Sequence, residues 1–145
     1  MIHYTQEFLC MCQHEVEPLA QLEWLESGHP TEELDIDWDT YDALEEQGLL
    51  KFFTAREEGK LVGYAVVLSF SPLTMRGREY AIIDAIYVDK SYRGIGKTLF
   101  GFIEGCLKKD GVERLIASSS SINPIGPFLS RMNYVETETK YEKVL

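Results

Sequence analysis

Apolar residues recur along this chain in two rhythms, and the changes of rhythm mark its elements. Between residues 5 and 27, Phe8, Leu9, Cys12, Val16, Leu19, Leu22 and Leu25 fall near a helical period and predict a helix, divided or kinked at Pro18. Ser27-Gly28-His29-Pro30 stops it. After a polar segment, Asp39 or Thr40 is placed to cap a second helix, through Gln47, with Tyr41 and Leu44 on one side and Glu45-Glu46 on another; Gly48 ends it. Residues 49–56 and 61–70 read as strands joined by the turn 57–60, a hairpin. A loop rich in turn residues, 71–78, leads to a third apolar run over 79–88. Helical spacing returns from Lys97 in Leu99, Phe100, Ile103 and Leu107. Residues 112–118 are then expected as a strand, 125–132 as a short helix and 135–144 as a last strand.

Within this order, residues 80–104 place a buried strand, a glycine loop and a helix one after another without a linker. The first turn of such a helix carries unpaired N–H groups and the positive end of the helix dipole. Gly94 and Gly96 let that backbone approach a ligand closely, and Arg93 and Lys97 add positive charge. The arrangement is an anion cradle suited to a pyrophosphate. A nucleotide P-loop is one reading, since Gly96-Lys97-Thr98 spells the end of that motif, but Ser91 stands where its first glycine is needed. A dinucleotide fingerprint is weaker, because Leu99 occupies the place of its third glycine.

Composition narrows the class. A chain of 145 residues, 45% apolar and 26% charged, has the size and balance of one soluble domain with a core of its own. No apolar run approaches the roughly 20 residues of a membrane span, so no membrane partner is expected. Residues 1–20 lack a basic start followed by an apolar stretch, so no secretory leader is expected either. Of the three cysteines, Cys10 and Cys12 are too close for an easy bridge, which points to a reducing compartment, the cytoplasm. Cys-x-Cys binds metal where a second pair exists, but none does, and His3 and His14 lack ligand spacing, so no metal is expected. The formal net charge of −10 argues against nucleic acid as a partner and is compatible with a cationic substrate such as an amine.

The loop after the third strand resembles that of the GCN5-related N-acetyltransferases, which bind the pyrophosphate of coenzyme A through Arg/Gln-x-x-Gly-x-Gly/Ala. Two registers fit: Arg93-Gly94-Ile95-Gly96-Lys97-Thr98 counted from Val88, or Gly94-Ile95-Gly96-Lys97 counted back from the helix, with Ser91 then replacing the arginine. Either way the loop is about two residues short of the family's length. Asn123, a short helix and Asn133-Tyr134 stand where the family carries asparagine, a helix and Gly-Phe before a final strand. Asp37-Trp38, Tyr41, Glu45, Gly48, Thr54-Ala55-Arg56, Leu61-Val62-Gly63-Tyr64, Tyr92-Arg93-Gly94 and Tyr141-x-Lys143 together resemble phage- and prophage-borne members, which would place the protein in a host cytoplasm.

The resemblance implies an α/β (α+β) acyl-CoA N-acyltransferase fold in one domain, residues 1–145, with a central, mixed, mostly antiparallel sheet flanked by helices. It implies acetyl-CoA as cosubstrate, held by the backbone of Ile86, Tyr87 and Val88, by the loop Arg93 to Thr98 and by Asn123. It also implies an acceptor side walled by the two N-terminal helices, so that Trp38, Tyr41 and Glu45 are candidate substrate contacts. A primary ammonium is almost fully protonated at neutral pH, and its transfer chemistry needs a base. Asp84 is the one acid in the run 80–88, and strand alternation puts it on the same side as Ile86 and Val88, where half-burial would raise its pKa. A structural partner for a backbone or arginine group is its other reading, and Glu79 and Glu45 are weaker base candidates. Many family members carry a tyrosine acid on the short helix; Leu129 falls at that position here, leaving Ser130, Tyr134 or water as substitutes. The expected function is therefore direct acetyl transfer to a primary amine; the alternative is a catalytically degenerate member that binds coenzyme A or blocks a partner. The oligomeric state stays open, a homodimer included.

Overall fold

Two strands of almost unbroken apolar sequence form the centre of the fold. A computed structural model of the chain describes residues 1–28, 32–92 and 94–145. Its elements are β1 (Ile2–Glu7), a 3-10 turn (Leu9–Met11), α1 (Gln13–Glu26), α2 (Trp38–Glu46), β2 (Leu50–Glu57), β3 (Lys60–Phe70), β4 (Tyr80–Val88), α3 (Ile95–Lys109), β5 (Arg114–Ile116) and α4 (Gly126–Arg131). One sheet runs in the order β1-β2-β3-β4-β5, antiparallel except for the parallel pair β4/β5. The expected mixed, mostly antiparallel sheet is what forms.

Both faces of the sheet are covered, which is why β2 and β3 do not alternate apolar with polar. Phe53, Val67 and Ile83 face α3 and α4, packing with Leu99, Ile103, Leu107 and Leu129. Phe52, Tyr64 and Val66 face α1 and α2, packing with Leu9, Cys12 and Val16. Neighbouring Phe52 and Phe53 are each fully buried on opposite sides.

Five expectations are corrected. Residues 5–7 belong to β1, which pairs with β2 from Ile2↔Glu57 to Glu7↔Phe52; the helical spacing of Phe8 and Leu9 is coincidental there. Pro18 does not divide α1, which runs unbroken from Gln13 to Glu26, and Leu22 and Leu25 at its far end are exposed. The cap of α2 is Asp37, whose carboxylate accepts the Thr40 N–H at 3.0 Å and its hydroxyl at 2.6 Å, so neither Asp39 nor Thr40 is the cap. The C-terminal end of α2 does close at Gly48 (φ 74), with Gly48 N–H on Glu45 O and Leu49 N–H on Leu44 O.

The fourth correction lies at the C-terminal end. No strand forms over residues 135–144; Val135, Tyr141 and Val144 are 81%, 93% and 90% exposed. Charged residues at 136, 138, 140, 142 and 143 leave this segment no apolar face whose burial would offset the entropy of ordering it. The strand expected over 112–118 is also shorter, because Val112 N–H is taken by Leu107 O in the closing turn of α3.

Candidate acetyl-transfer site

The parting of β4 from β5 defines the site. Their ladder has only three pairs, ending at Ile82↔Ile116, while β4 continues to Val88 paired to β3 on its other edge. The β5-side edge of β4 beyond Ile82 therefore presents backbone groups without a strand partner. A cleft of about 120 Å³ opens there, lined by Ile83, Asp84, Ala85 and Ile86 of β4, by Ala117 and Ser118 after β5, and by Glu23, Phe100 and Ile125.

A bulge in β4 sets the direction of its side chains. Val67 pairs with Ile83 and Val66 with Ala85, so Asp84 is the extra residue. Ile83, Ile86 and Val88 consequently pack toward α3, whereas Ala85 and Tyr87 pack toward α1 and α2. Simple alternation had placed Asp84, Ile86 and Val88 on one side, and the bulge overturns that. Asp84 is also exposed rather than half-buried, and its Oδ2 accepts the Tyr41 hydroxyl of α2 at 2.6 Å. Burial and the Asp84 carboxylate both push the Tyr41 phenol up, so Tyr41 remains a donor at neutral pH.

At the other end of β4 the chain turns into α3. The helix begins at Ile95, two residues earlier than the apolar period indicates, with Gly94 at its N-cap in the left-handed region (φ 85). Among the described residues no side chain caps this end, and no acid lies in its first turn. The Ile95 side chain is 7% exposed in a small cluster with Ala55 and Val62, which anchors the turn while its amide stays at the helix mouth. Gly96 is half-buried beneath Phe128, and Lys97 and Thr98 are exposed beside it. Asp89 steadies the approach: its side chain accepts Ser91 N–H at 2.8 Å and its carbonyl accepts Tyr92 N–H at 3.0 Å. Arg93 lies outside the described residues. The backbone at the helix mouth is that of Gly94-Ile95-Gly96-Lys97, which both registers contain.

Gly94→Ala tests this turn. An L side chain at that φ is expected to cost about 1–2 kcal/mol, seen as a fall in Tm of a few degrees, and to raise KM for acetyl-CoA. An unchanged Tm and KM would show that the turn neither requires glycine nor touches the ligand.

The other expected site residues divide. Trp38 and Tyr41, with ring centroids 6.0 Å apart, line a second cavity between α1, α2 and the sheet. Glu45 does not line it: its carboxylate accepts the N–H groups of Leu9 at 2.6 Å and Cys10 at 3.1 Å, fastening α2 to the 3-10 turn. Tyr87 is buried and stacked on Tyr64, with which it pairs across β3 and β4, so its side chain is not at the open edge. Ser130 and Asn123 are exposed outside the cleft lining. Tyr134 is also outside it; its hydroxyl donates to Glu104 at 2.7 Å, and burial with that carboxylate pushes the phenol well up. Ser119 Oγ accepts the Ile125 and Gly126 N–H groups at 2.9 and 3.1 Å, so this serine holds the start of α4.

Glu23 is the residue that sequence reasoning missed. It reaches from α1 to line both the cleft and the second cavity. Burial, and then the charges of Glu26 and Asp84, push its carboxyl up to about 7. Its sequence signal is faint, because α1 carries acids at 15, 17, 23 and 26 and nothing local separates the inward one. Among the described residues no group of three or more His, Cys, Asp or Glu side chains has the arrangement of a metal site.

Comparison with known proteins agrees with this architecture. The Acetyltransferase (GNAT) family model matches residues 14–124, and the chain belongs to that family. No curated protein matches the chain. Among solved structures it resembles a ribosomal-protein-alanine N-acetyltransferase from Brucella melitensis biovar Abortus 2308, at TM-score 0.74 and 19% identity, over 99% of this chain and 98% of that one. A predicted acetyltransferase with acetyl-CoA from Clostridium acetobutylicum matches at TM-score 0.75 and 17% identity, over 99% and 96%. An aminoglycoside acetyltransferase from an uncultured soil metagenomic sample, in complex with sisomicin, matches at TM-score 0.75 and 16% identity, over 99% and 96%. At these identities the likeness is one of fold.

Proposed function

We propose that this chain transfers the acetyl group of acetyl-CoA directly to a primary amine. One observation carries the reading: the edge of β4 left open beyond Ile82 runs from a cleft that holds two carboxylates, Asp84 and Glu23, toward the N-terminus of α3 that follows Val88. The amides of Ile95, Gly96 and Lys97 suit a pyrophosphate, with Lys97 adding charge. The unpaired backbone of Ile86 and Val88 suits the amide-bearing pantetheine arm, which can bond there as an added strand does. Acetyl-CoA supplies an activated acyl carbon.

The chain's own side chains handle the amine. Asp84, its charge oriented by the Tyr41 hydroxyl, attracts the ammonium to the cleft. Glu23, with a pKa of about 7, is matched to accept its proton near neutral pH. The free amine forms the C–N bond as the C–S bond breaks, and the second proton shed by the acylated nitrogen passes through water to the departing thiolate. Neither Ser130 nor Tyr134 is assigned as an acid, since a coenzyme A thiolate leaves without one. A reducing cytoplasm suits the three free cysteines. The kinship with phage-borne members rests on the sequence resemblance.

Thermal stabilisation by acetyl-CoA, coenzyme A and ATP, side by side, tests the binding half. A ligand at 100 times its Kd adds roughly 2.7 kcal/mol, so the two coenzymes are expected to raise Tm by several degrees and ATP not at all. Thiol release that requires an amine tests the transfer half. A rapid-quench burst of acetyl-enzyme would overturn direct transfer. Binding of coenzyme A without thiol release for any amine would favour the degenerate, partner-blocking alternative.

A further inference from the structure

The second cavity narrows the acceptor to one chemical class. It has a volume of about 120 Å³ and lies under α1 and α2. Val16, Ala20, Leu34, Ile36, Trp38 and Tyr64 supply most of its wall. Among the described residues Glu23 is the one carboxylate in that wall, and Glu23 and Ala85 line the transfer cleft as well. The two spaces thus meet at the carboxylate whose pKa is near 7, beside Asp84. Tyr41 spans them too: its ring lines the cavity while its hydroxyl reaches Asp84.

We infer that the acceptor is a primary amine bearing one compact apolar group, a branched alkyl chain or a single ring. The group fills the cavity while the ammonium lies between Glu23 and Asp84. This rests on the acetyl-transfer reading above and adds the substrate class to it. The size is suitable: an engineered apolar cavity of about 150 Å³ stays dry and binds benzene. The chemistry is selective as well. A second ammonium or a set of hydroxyls in this wall would lose its hydration without gaining partners. Polyamines and amino sugars are therefore poor acceptors. Each methylene that enters the cavity adds about 0.8 kcal/mol, so a four-carbon branch separates substrates by more than a hundredfold at full burial.

The test is a panel of amines at saturating acetyl-CoA, read as kcat/KM by thiol release: isoamylamine, 2-phenylethylamine, ethanolamine and spermidine. Isoamylamine or 2-phenylethylamine is expected to exceed both ethanolamine and spermidine by at least tenfold. In Ala20→Phe, which fills the cavity, that preference is expected to collapse toward one. Ile36→Phe, in the connecting segment, serves the same purpose if Ala20→Phe fails to fold. With coenzyme A present, 2-phenylethylamine is expected to raise Tm and ethanolamine at equal concentration is not. Equal or better use of spermidine or ethanolamine would overturn the acceptor class and leave acetyl transfer standing. No turnover with any amine, despite coenzyme A binding, would overturn the transfer reading and the acceptor class with it.

Discussion

Glu23→Gln is expected to lower kcat at pH 8 by roughly 10²–10⁴, the range of a lost general base, while leaving KM for acetyl-CoA within about twofold. Glutamine keeps the shape and polarity of the side chain but accepts no proton from an ammonium. In the parent protein, kcat/KM for the amine should rise with pH through about 7 and then level, following the Glu23 carboxyl. The variant should lose that inflection. Asp84→Asn separates the two acids. Its charge is one of the causes that raise Glu23, so its removal should move the inflection to lower pH while turnover persists at a reduced level.

A merely structural Glu23 would leave rate and inflection unchanged on substitution. Stability gives a second readout with a definite sign. Glu23 is held protonated in the folded chain at pH values where the unfolded chain, with the ordinary value of 4.5, has ionised it. The folded state then binds more protons, so stability falls as pH rises from about 4.5 to 7. Glu23→Gln removes that loss and should melt higher than the parent at pH 8, with the difference vanishing near pH 4.

How much of this was legible from the chain differs by the kind of information each feature needs. The hairpin, the strand–glycine–helix unit and the closing turn of α2 are local, because turn residues and apolar period specify them within a few positions. What failed was non-local. β1 is short and half of its residues are exposed, with none fully buried; it is a strand because β2 offers it an edge. The bulge at Asp84 adds one residue to β4 relative to β3, which only the pairing reveals, and it reversed the facing of everything after it. Glu45 looked free in the sequence and is consumed by amides 36 and 35 residues away. Glu23 owes its place in the cleft wall to α1, which brings it over the point where two strands separate. The edge of β4 left open over Ile86–Val88 leaves no mark in the sequence and follows from the strand pairing.

The second large effect belongs to Arg56, and it concerns the frame that holds Glu23. The Arg56 guanidinium of β2 donates to Glu7 of β1 at 2.8 and 3.2 Å, to Glu15 of α1 at 2.7 and 2.9 Å, and to Gly59 O at 2.8 Å. Its side chain is 17% exposed, and those of Glu7 and Glu15 are 26% and 30% exposed. This is a partly buried clamp, unlike a surface pair worth under about 1 kcal/mol. Burial would raise the Glu7 carboxyl, but hydrogen bonds from Arg56 and Thr54 hold it below the ordinary value; the Arg56 hydrogen bonds also hold Glu15 down, against burial. Arg56→Met leaves two half-buried carboxylates without their cation. It should cost about 2–3 kcal/mol at pH 7, or roughly 6–10 °C in Tm for a chain this long.

The sign of the pH dependence follows from the carboxylates. Their stabilising contribution is full above the unfolded value of 4.5 and is lost as pH falls through their lowered folded values. Urea unfolding at pH 7, 5 and 3 should therefore show the gap between parent and Arg56→Met narrowing only below about pH 4.5. Arg56→Lys, which keeps the charge but not the forked geometry, should fall between them. Because Glu15 lies two turns before Glu23 on α1, loosening the clamp should also lower kcat more than it raises KM for acetyl-CoA. A variant as stable as the parent at pH 7, with the same kcat, would show that α1 is held in place by its apolar face alone.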